Sequence, residues 1–213
     1  MESPQPPQSS PAGPREAQAG PANWQVARIW GIPIGLHWSM AFVFGLLALS
    51  LAMAYFPETD PTLSTATAWV LGIITALLFF TSILLHELGH SRIALHNGIP
   101  VESITLFSFG GIARIAGRPK TAGVELAIAI AGPVVSFVLA GLFGAIWWLA
   151  DDITALAAAA GWLARLNLIL ALFNLLPGFP LDGGRILRAL VWQFTGNEQR
   201  ATQVSLVSGQ MLA

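Results

Sequence analysis

The chain has 213 residues, of which 54% are hydrophobic and only 10% charged, with a net charge of −1 and a mean hydropathy of +0.66. A soluble domain carries about 25% charged residues, so an ordinary water-soluble fold is excluded. The lack of cysteine rules out disulfides and thiolate metal sites. The near-neutral charge by itself says little about partners, and no nucleic-acid partner is expected.

Residues 1–22, MESPQPPQSSPAGPREAQAGPA, are rich in Pro, Gln, Ser and Gly. Such a composition cannot bury a core, so a disordered tail is expected there. No apolar h-region follows near the start, which argues against a secretory signal and for a first span that stays as an uncleaved anchor. Residues 23–213 are expected to form one membrane domain. Stretches 38–55, 61–85 and 126–150 contain no Asp, Glu, Lys, Arg or His, and each approaches the roughly 20 residues that cross a bilayer. A fourth, shorter run at 166–181 extends back past Arg165 to about Ile153, and the closing ATQVSLVSGQMLA reads as a fifth span cut short. The reading is an all-α polytopic membrane protein with spans near 34–56, 66–92, 124–150 and 153–176 and a partial span from 201. Between the second and third spans, VESITLFSFGGIARIA at 101–116 is rich in β-branched and aromatic residues around Gly110 and Gly111. That pattern predicts a small β-hairpin or re-entrant segment.

Cations orient the chain. Arg15 and Arg28 precede the first span, Arg92, Arg114, Arg118 and Lys120 follow the second, and Arg185, Arg188 and Arg200 follow the fourth. The other connections carry Glu58, Asp60, Asp151 and Asp152. By the positive-inside rule the N-terminus and the end of the second span are cytoplasmic; Arg165 alone falls inside a run.

The end of the second span reads SILLHELGHSRIALH, residues 82–96. Ionisable groups at membrane depth are costly and mark function. Positions four apart share one face of a helix, so His86 and His90 present their imidazoles to a common point with Glu87 beside them. In this H-E-x-x-H arrangement two histidines hold zinc and the glutamate acts on its water. A catalytic zinc takes a third protein ligand. Depth leaves three candidates: His37 at the start of the first span, Glu125 before the third, and Asp182 in NLLPGFPLDGGRILRAL. His37 fits an interfacial anchor beside Trp38, and Glu125 a snorkelling or capping residue. Asp182 has the best context, because irregular Pro- and Gly-rich backbone at membrane depth belongs in protein interiors or beside watery cavities.

HELGH and, about ninety residues later, NLLPGFPLDGG resemble the paired signatures of the site-2 protease family of intramembrane zinc metalloproteases. The resemblance covers roughly residues 25 to 200. It implies that Asp182 is the third ligand to one zinc ion and that Glu87 is the catalytic base. It also implies a bacterial inner-membrane endopeptidase, embedded in the lipid bilayer. Its substrate would be a single-span regulator, such as an anti-sigma factor, cut near the cytoplasmic side. Asn174 lies in the second signature, as a substrate or zinc-site contact or as an interhelical hydrogen-bonding group. Where the family usually carries Asn after a Gly-Pro pair, AGPVVSFVLAG has Ser136, whose hydroxyl has less reach than an amide. Gly110 and Gly111 mark a strand edge that can take up an extended substrate; a simple amphipathic connector is the other reading. Members of the family often continue into a C-terminal regulatory domain, so a truncated chain is expected. Other classes are a metal transporter or channel, which the confinement of polar residues to one depth opposes, and a non-catalytic helix-binding relative, which the intact His86, Glu87, His90 and Asp182 oppose.

Overall fold

A computed structural model describes residues 23–212 except 109, 151 and 152; the tail expected at 1–22 lies outside the described residues. Among the described residues, four helical stretches are long and apolar enough to cross a membrane: Trp38–Thr59, Thr65–His96, Ala122–Leu149 and Thr154–Asn174. The first combines α1 (Trp38–Ser50), a π-helical stretch (Leu51–Tyr55) and α2 (Phe56–Thr59). The second is α3 (Thr65–His96), started by the Ser64 side chain accepting from the Thr67 N–H. Its 32 residues extend about 48 Å, more than the roughly 30 Å hydrocarbon core. The last turns, which carry HELGH, therefore sit toward one membrane face.

Close helix contact comes from small residues. A Cβ placed on Gly72 of α3 would lie 2.8 Å from the Ala48 carbonyl oxygen and 3.1 Å from the Ala52 Cβ, so the first span rests directly on α3. Small residues allow such backbone approach where lipid supplies no hydrophobic drive.

The sheet is larger than the expected hairpin. Strand β3 (Val101–Phe107) and β4 (Gly110–Ile115) pair antiparallel across 101–116 as anticipated. Two further strands, β1 (Asn23–Ile29) and β2 (Ile32–His37), complete a four-stranded sheet in the order β1-β2-β3-β4. Trp30 and Gly31, both at positive φ (50° and 81°), make the β1–β2 turn. β2 runs parallel to β3, with Ile34 opposite Ile104. The first span consequently begins at Trp38 instead of near 34: the apolar residues Ile32 and Ile34 alternate as a strand and are buried on the sheet's inner face. With Ile104 and Leu106 they pack on Met40, Phe80, Ile83 and Leu88, which seats the sheet on the C-terminal half of α3.

Helix α4 (Ala122–Leu149), capped by Thr121, packs along α3 and α5 (Thr154–Asn174). After a break at 175–181 come α6 (Asp182–Thr195) and α7 (Glu198–Leu212), which pack on each other. α6 is an amphipathic helix where the sequence suggested a cytoplasmic connection. The partial span expected from 201 falls in α7.

The Gly72 contact makes a direct prediction. Gly72→Ile should force the first span from α3 and cost about 1–3 kcal/mol by overpacking, read as a lower unfolding temperature in detergent. Gly141→Ala, where an added Cβ meets nothing within 4 Å, should leave that temperature unchanged or raise it.

Candidate metal centre

His86 and His90 project from one face of α3, one turn apart, and both are buried. Asp182, the first residue of α6, comes to meet them and is buried as well. The His86 Nε2–His90 Nε2, His86 Nε2–Asp182 Oδ2 and His90 Nε2–Asp182 Oδ2 distances are each 3.2 Å. A regular tetrahedron with bonds of about 2.0 Å has edges of about 3.3 Å, so this triangle has the dimensions of one face of a tetrahedral zinc site. Two imidazoles and a carboxylate are also a donor set that zinc accepts. Of the candidates left open by depth, the structure gathers Asp182 alone; among the described residues, neither His37 nor Glu125 joins the group.

Both histidines are oriented from α4. The His90 Nδ1–H donates to the Ile128 carbonyl at 2.7 Å, and His86 Nδ1 lies 2.9 Å from the Ser136 hydroxyl. A hydrogen bond at Nδ1 fixes the tautomer whose Nε2 lone pair faces the metal. Between these two contacts lies Gly132. A Cβ there would strike His90 Nε2 and lie 2.7 Å from His86 Nε2, so glycine keeps open the space in front of the ligand atoms.

The loop before α6 fixes where Asp182 starts. Cβ atoms on Gly183 and Gly184 would collide with the backbone of Leu175–Leu176 and Gly178–Phe179. The double glycine thus lets the first turn of α6 nest against the break, and the Ser205 hydroxyl ties that turn to α7 by donating to the Gly184 carbonyl at 2.7 Å.

Glu87 follows His86 and so points about 100° away round the helix, outside the ligand group. Strand β4 lies over it: a Cβ on Gly111 would come 2.9 Å from Glu87 Cδ and 3.1 Å from Oε1. Gly111 therefore packs on the glutamate side chain, while Gly110 closes the hairpin at a φ of +132°. The structure turns the Ser136 hydroxyl to His86, and the Asn174 amide donates to the Leu170 carbonyl of its own helix at 2.9 Å.

Glu125 differs most from its sequence reading. It is 2% exposed and accepts a 2.7 Å hydrogen bond from Arg188 Nε on α6. Burial works against the Arg188 charge, but Glu125 and Glu198 together outweigh it and lift the guanidinium pKa above its ordinary value. Sequence reasoning also missed Gly132 and the Ile128 carbonyl. Glu125, Ile128, Gly132 and Ser136 recur at helical spacing, a signal visible only once a partner for that face is known.

The profile of Peptidase family M50 matches residues 74–151 and 149–213. The "Putative zinc metalloprotease sll0528" of Synechocystis sp. is 45% identical over 193 residues, covering 88% of this chain and 49% of that protein. "Zinc metalloprotease MJ0392" of Methanocaldococcus jannaschii is 35% identical over 187 residues, covering 87% of this chain and 50% of that protein. The chain thus spans about half the length of these curated relatives. Among solved structures, a site-2 protease from Methanocaldococcus jannaschii superposes with a TM-score of 0.56 at 33% identity, covering 86% of this chain and 77% of that one.

Metal binding tests the geometry. The purified chain should hold about one zinc, and His86→Ala, Asp182→Ala and Gly132→Ala should each lower occupancy by elemental analysis, whereas His37→Ala should not. Full occupancy in Gly132→Ala would mean that the metal lies elsewhere.

Proposed function

The chain belongs to peptidase family M50, the site-2 protease family, and on that premise we propose that it is an intramembrane zinc endopeptidase. In this reading it cuts a transmembrane helix of a single-span regulatory protein, such as an anti-sigma factor, near the cytoplasmic side of a bacterial inner membrane. One observation carries the proposal: His86, His90 and Asp182 present three ligand atoms at mutual distances of 3.2 Å, with Glu87 alongside, inside a bundle of four apolar spans.

His86, His90 and Asp182 would hold the ion. Zinc, when bound, supplies a Lewis acid and lowers the pKa of water to about 7. Glu87 takes a proton from the attacking water on its carboxylate as the new C–O bond forms at the scissile carbonyl. It then delivers that proton to the amide nitrogen as the C–N bond breaks, which leaves a free acid and an amine. The packing of Gly111 on Glu87 limits where that carboxylate can point.

A helical amide is shielded by its own hydrogen bonds, so the substrate must be extended before attack. β4 is an outer strand of the sheet and passes over Glu87. Its free edge, marked by Gly110 and Gly111, suits pairing with an extended segment by β-augmentation. In this reading Ser136 and Asn174 serve the site's interior, through His86 and through the end of α5, and the substrate contacts lie on the strand.

The one-sided distribution of Lys and Arg supports a cytoplasmic N-terminus and a cytoplasmic active site. With this orientation, Glu58→Cys should label with an impermeant thiol reagent from outside and Arg118→Cys only from the cytoplasm. Outside labelling of Arg118→Cys would invert the topology.

The chemical step has its own test. Glu87→Gln keeps the shape of the side chain but removes the base. Cleavage of a helical substrate should fall by about 10²–10⁴-fold while zinc stays bound. Near-normal cleavage by a zinc-loaded Glu87→Gln protein would refute the proposed mechanism.

A further inference from the structure

We infer that the buried Glu125–Arg188 ion pair is the device that positions Asp182, the metal-binding carboxylate, by fixing the rotation of α6 against α4. The inference rests on the reading of His86, His90 and Asp182 as metal ligands. The two histidines stand on α3, and each is held at Nδ1 by a group on α4. Asp182 stands on a separate helix and has no such bond to α4. Its carboxylate is as well placed as the orientation of α6 allows.

The tolerance is narrow. A ligand atom about 5 Å from a helix axis moves about 0.9 Å when the helix turns by about 10°, whereas metal-site distances hold to within about 0.2 Å. The nested Gly183–Gly184 turn fixes the start of α6 against the 175–179 backbone. Rotation about the helix axis needs a second point of attachment farther along. Arg188 supplies it. It lies six residues beyond Asp182, about 9 Å along the helix, and reaches the α4 carboxylate at 2.7 Å.

The chemistry of the pair makes this attachment strong. Glu125 stands on the same α4 face as Ile128, Gly132 and Ser136, its side chain is 3% exposed, and Oε2 has no protein partner. Arg188 is thus its one neutralising contact among the described residues. A buried carboxylate cannot release its cation without being left uncompensated. On its far side Arg188 Nη1 reaches Glu198 Oε1 at 3.4 Å and Thr202 Oγ1 at 3.2 Å, both on α7. The guanidinium therefore spans α4, α6 and α7. α4 in this way sets all three ligands: His90 through Ile128, His86 through Ser136, and Asp182 through Glu125 and Arg188.

The test uses the full chain, stripped of metal and reloaded with zinc or cobalt(II). Zinc affinity is measured by chelator competition, and the visible cobalt spectrum reports ligand geometry. Arg188→Met and Glu125→Gln should each weaken zinc by about 10–100-fold, the usual effect of removing a group that orients a ligand, and should alter the cobalt bands. Arg188→Lys, which can still meet Glu125, should recover much of the affinity. The double variant Glu125→Gln/Arg188→Met should bind no more weakly than either single one and leaves no unpaired buried charge, so it remains informative if a single variant misfolds. Thr202→Val, which removes only a contact to α7, should bind zinc like the unmodified chain. Unchanged zinc affinity and cobalt bands in Glu125→Gln and the double variant would overturn the inference, as would a Thr202→Val loss equal to that of Arg188→Met. Failure of the unmodified chain itself to bind zinc would instead remove the metal-site reading on which it rests.

Discussion

The structure depends on one constraint: three polar ligand atoms must meet at 3.2 Å inside a bundle whose spans face lipid. An imidazole or carboxylate buried there is tolerable only when its remaining polar atoms are bonded or it binds an ion. One face of α4 answers most of that demand. A carboxylate, a backbone carbonyl, a residue without a side chain and a hydroxyl follow one another along it at Glu125, Ile128, Gly132 and Ser136. That helix adds no member to the His86–His90–Asp182 group, yet it bonds both histidines.

The sheet answers a second demand. It brings backbone, with its fixed donors and acceptors, over the glutamate that faces away from the ligand group. Ile32, Ile34, Ile104 and Leu106 anchor the sheet to α3 through apolar packing. Gly111 lets β4 settle directly on Glu87. The two halves of the site are thus held differently: hydrogen bonds and an ion pair from α4 hold the side of the His86–His90–Asp182 group, and apolar packing with strand pairing holds the side of Glu87.

The sequence made the four spans and the ligand triad legible, since uncharged runs and the His86–Glu87–His90 spacing are local signals that depend on few other residues. The Pro- and Gly-rich setting of Asp182 pointed the same way, and the resemblance singled it out. Strand β2 escaped because GIPIGL is parted from the apolar first span by His37 alone, so hydropathy joins strand and helix. Only the pairing with β3, residues far along the chain, separates them. Glu125 looked like an interfacial cap because its partner lies 63 positions away. Helix α6 was hidden by its polar face, which reads as a connection until its apolar side has a neighbour.

The parallel pairing of β2 with β3 joins a strand before the first span to one after the second. A growing chain cannot complete that sheet until both intervening spans have been made, because they form the crossover between the two parallel strands. Asp182 comes later still, on a helix that follows the fourth span. The group of His86, His90 and Asp182 is therefore complete only after the fourth span has been made, and it is absent while the earlier spans insert.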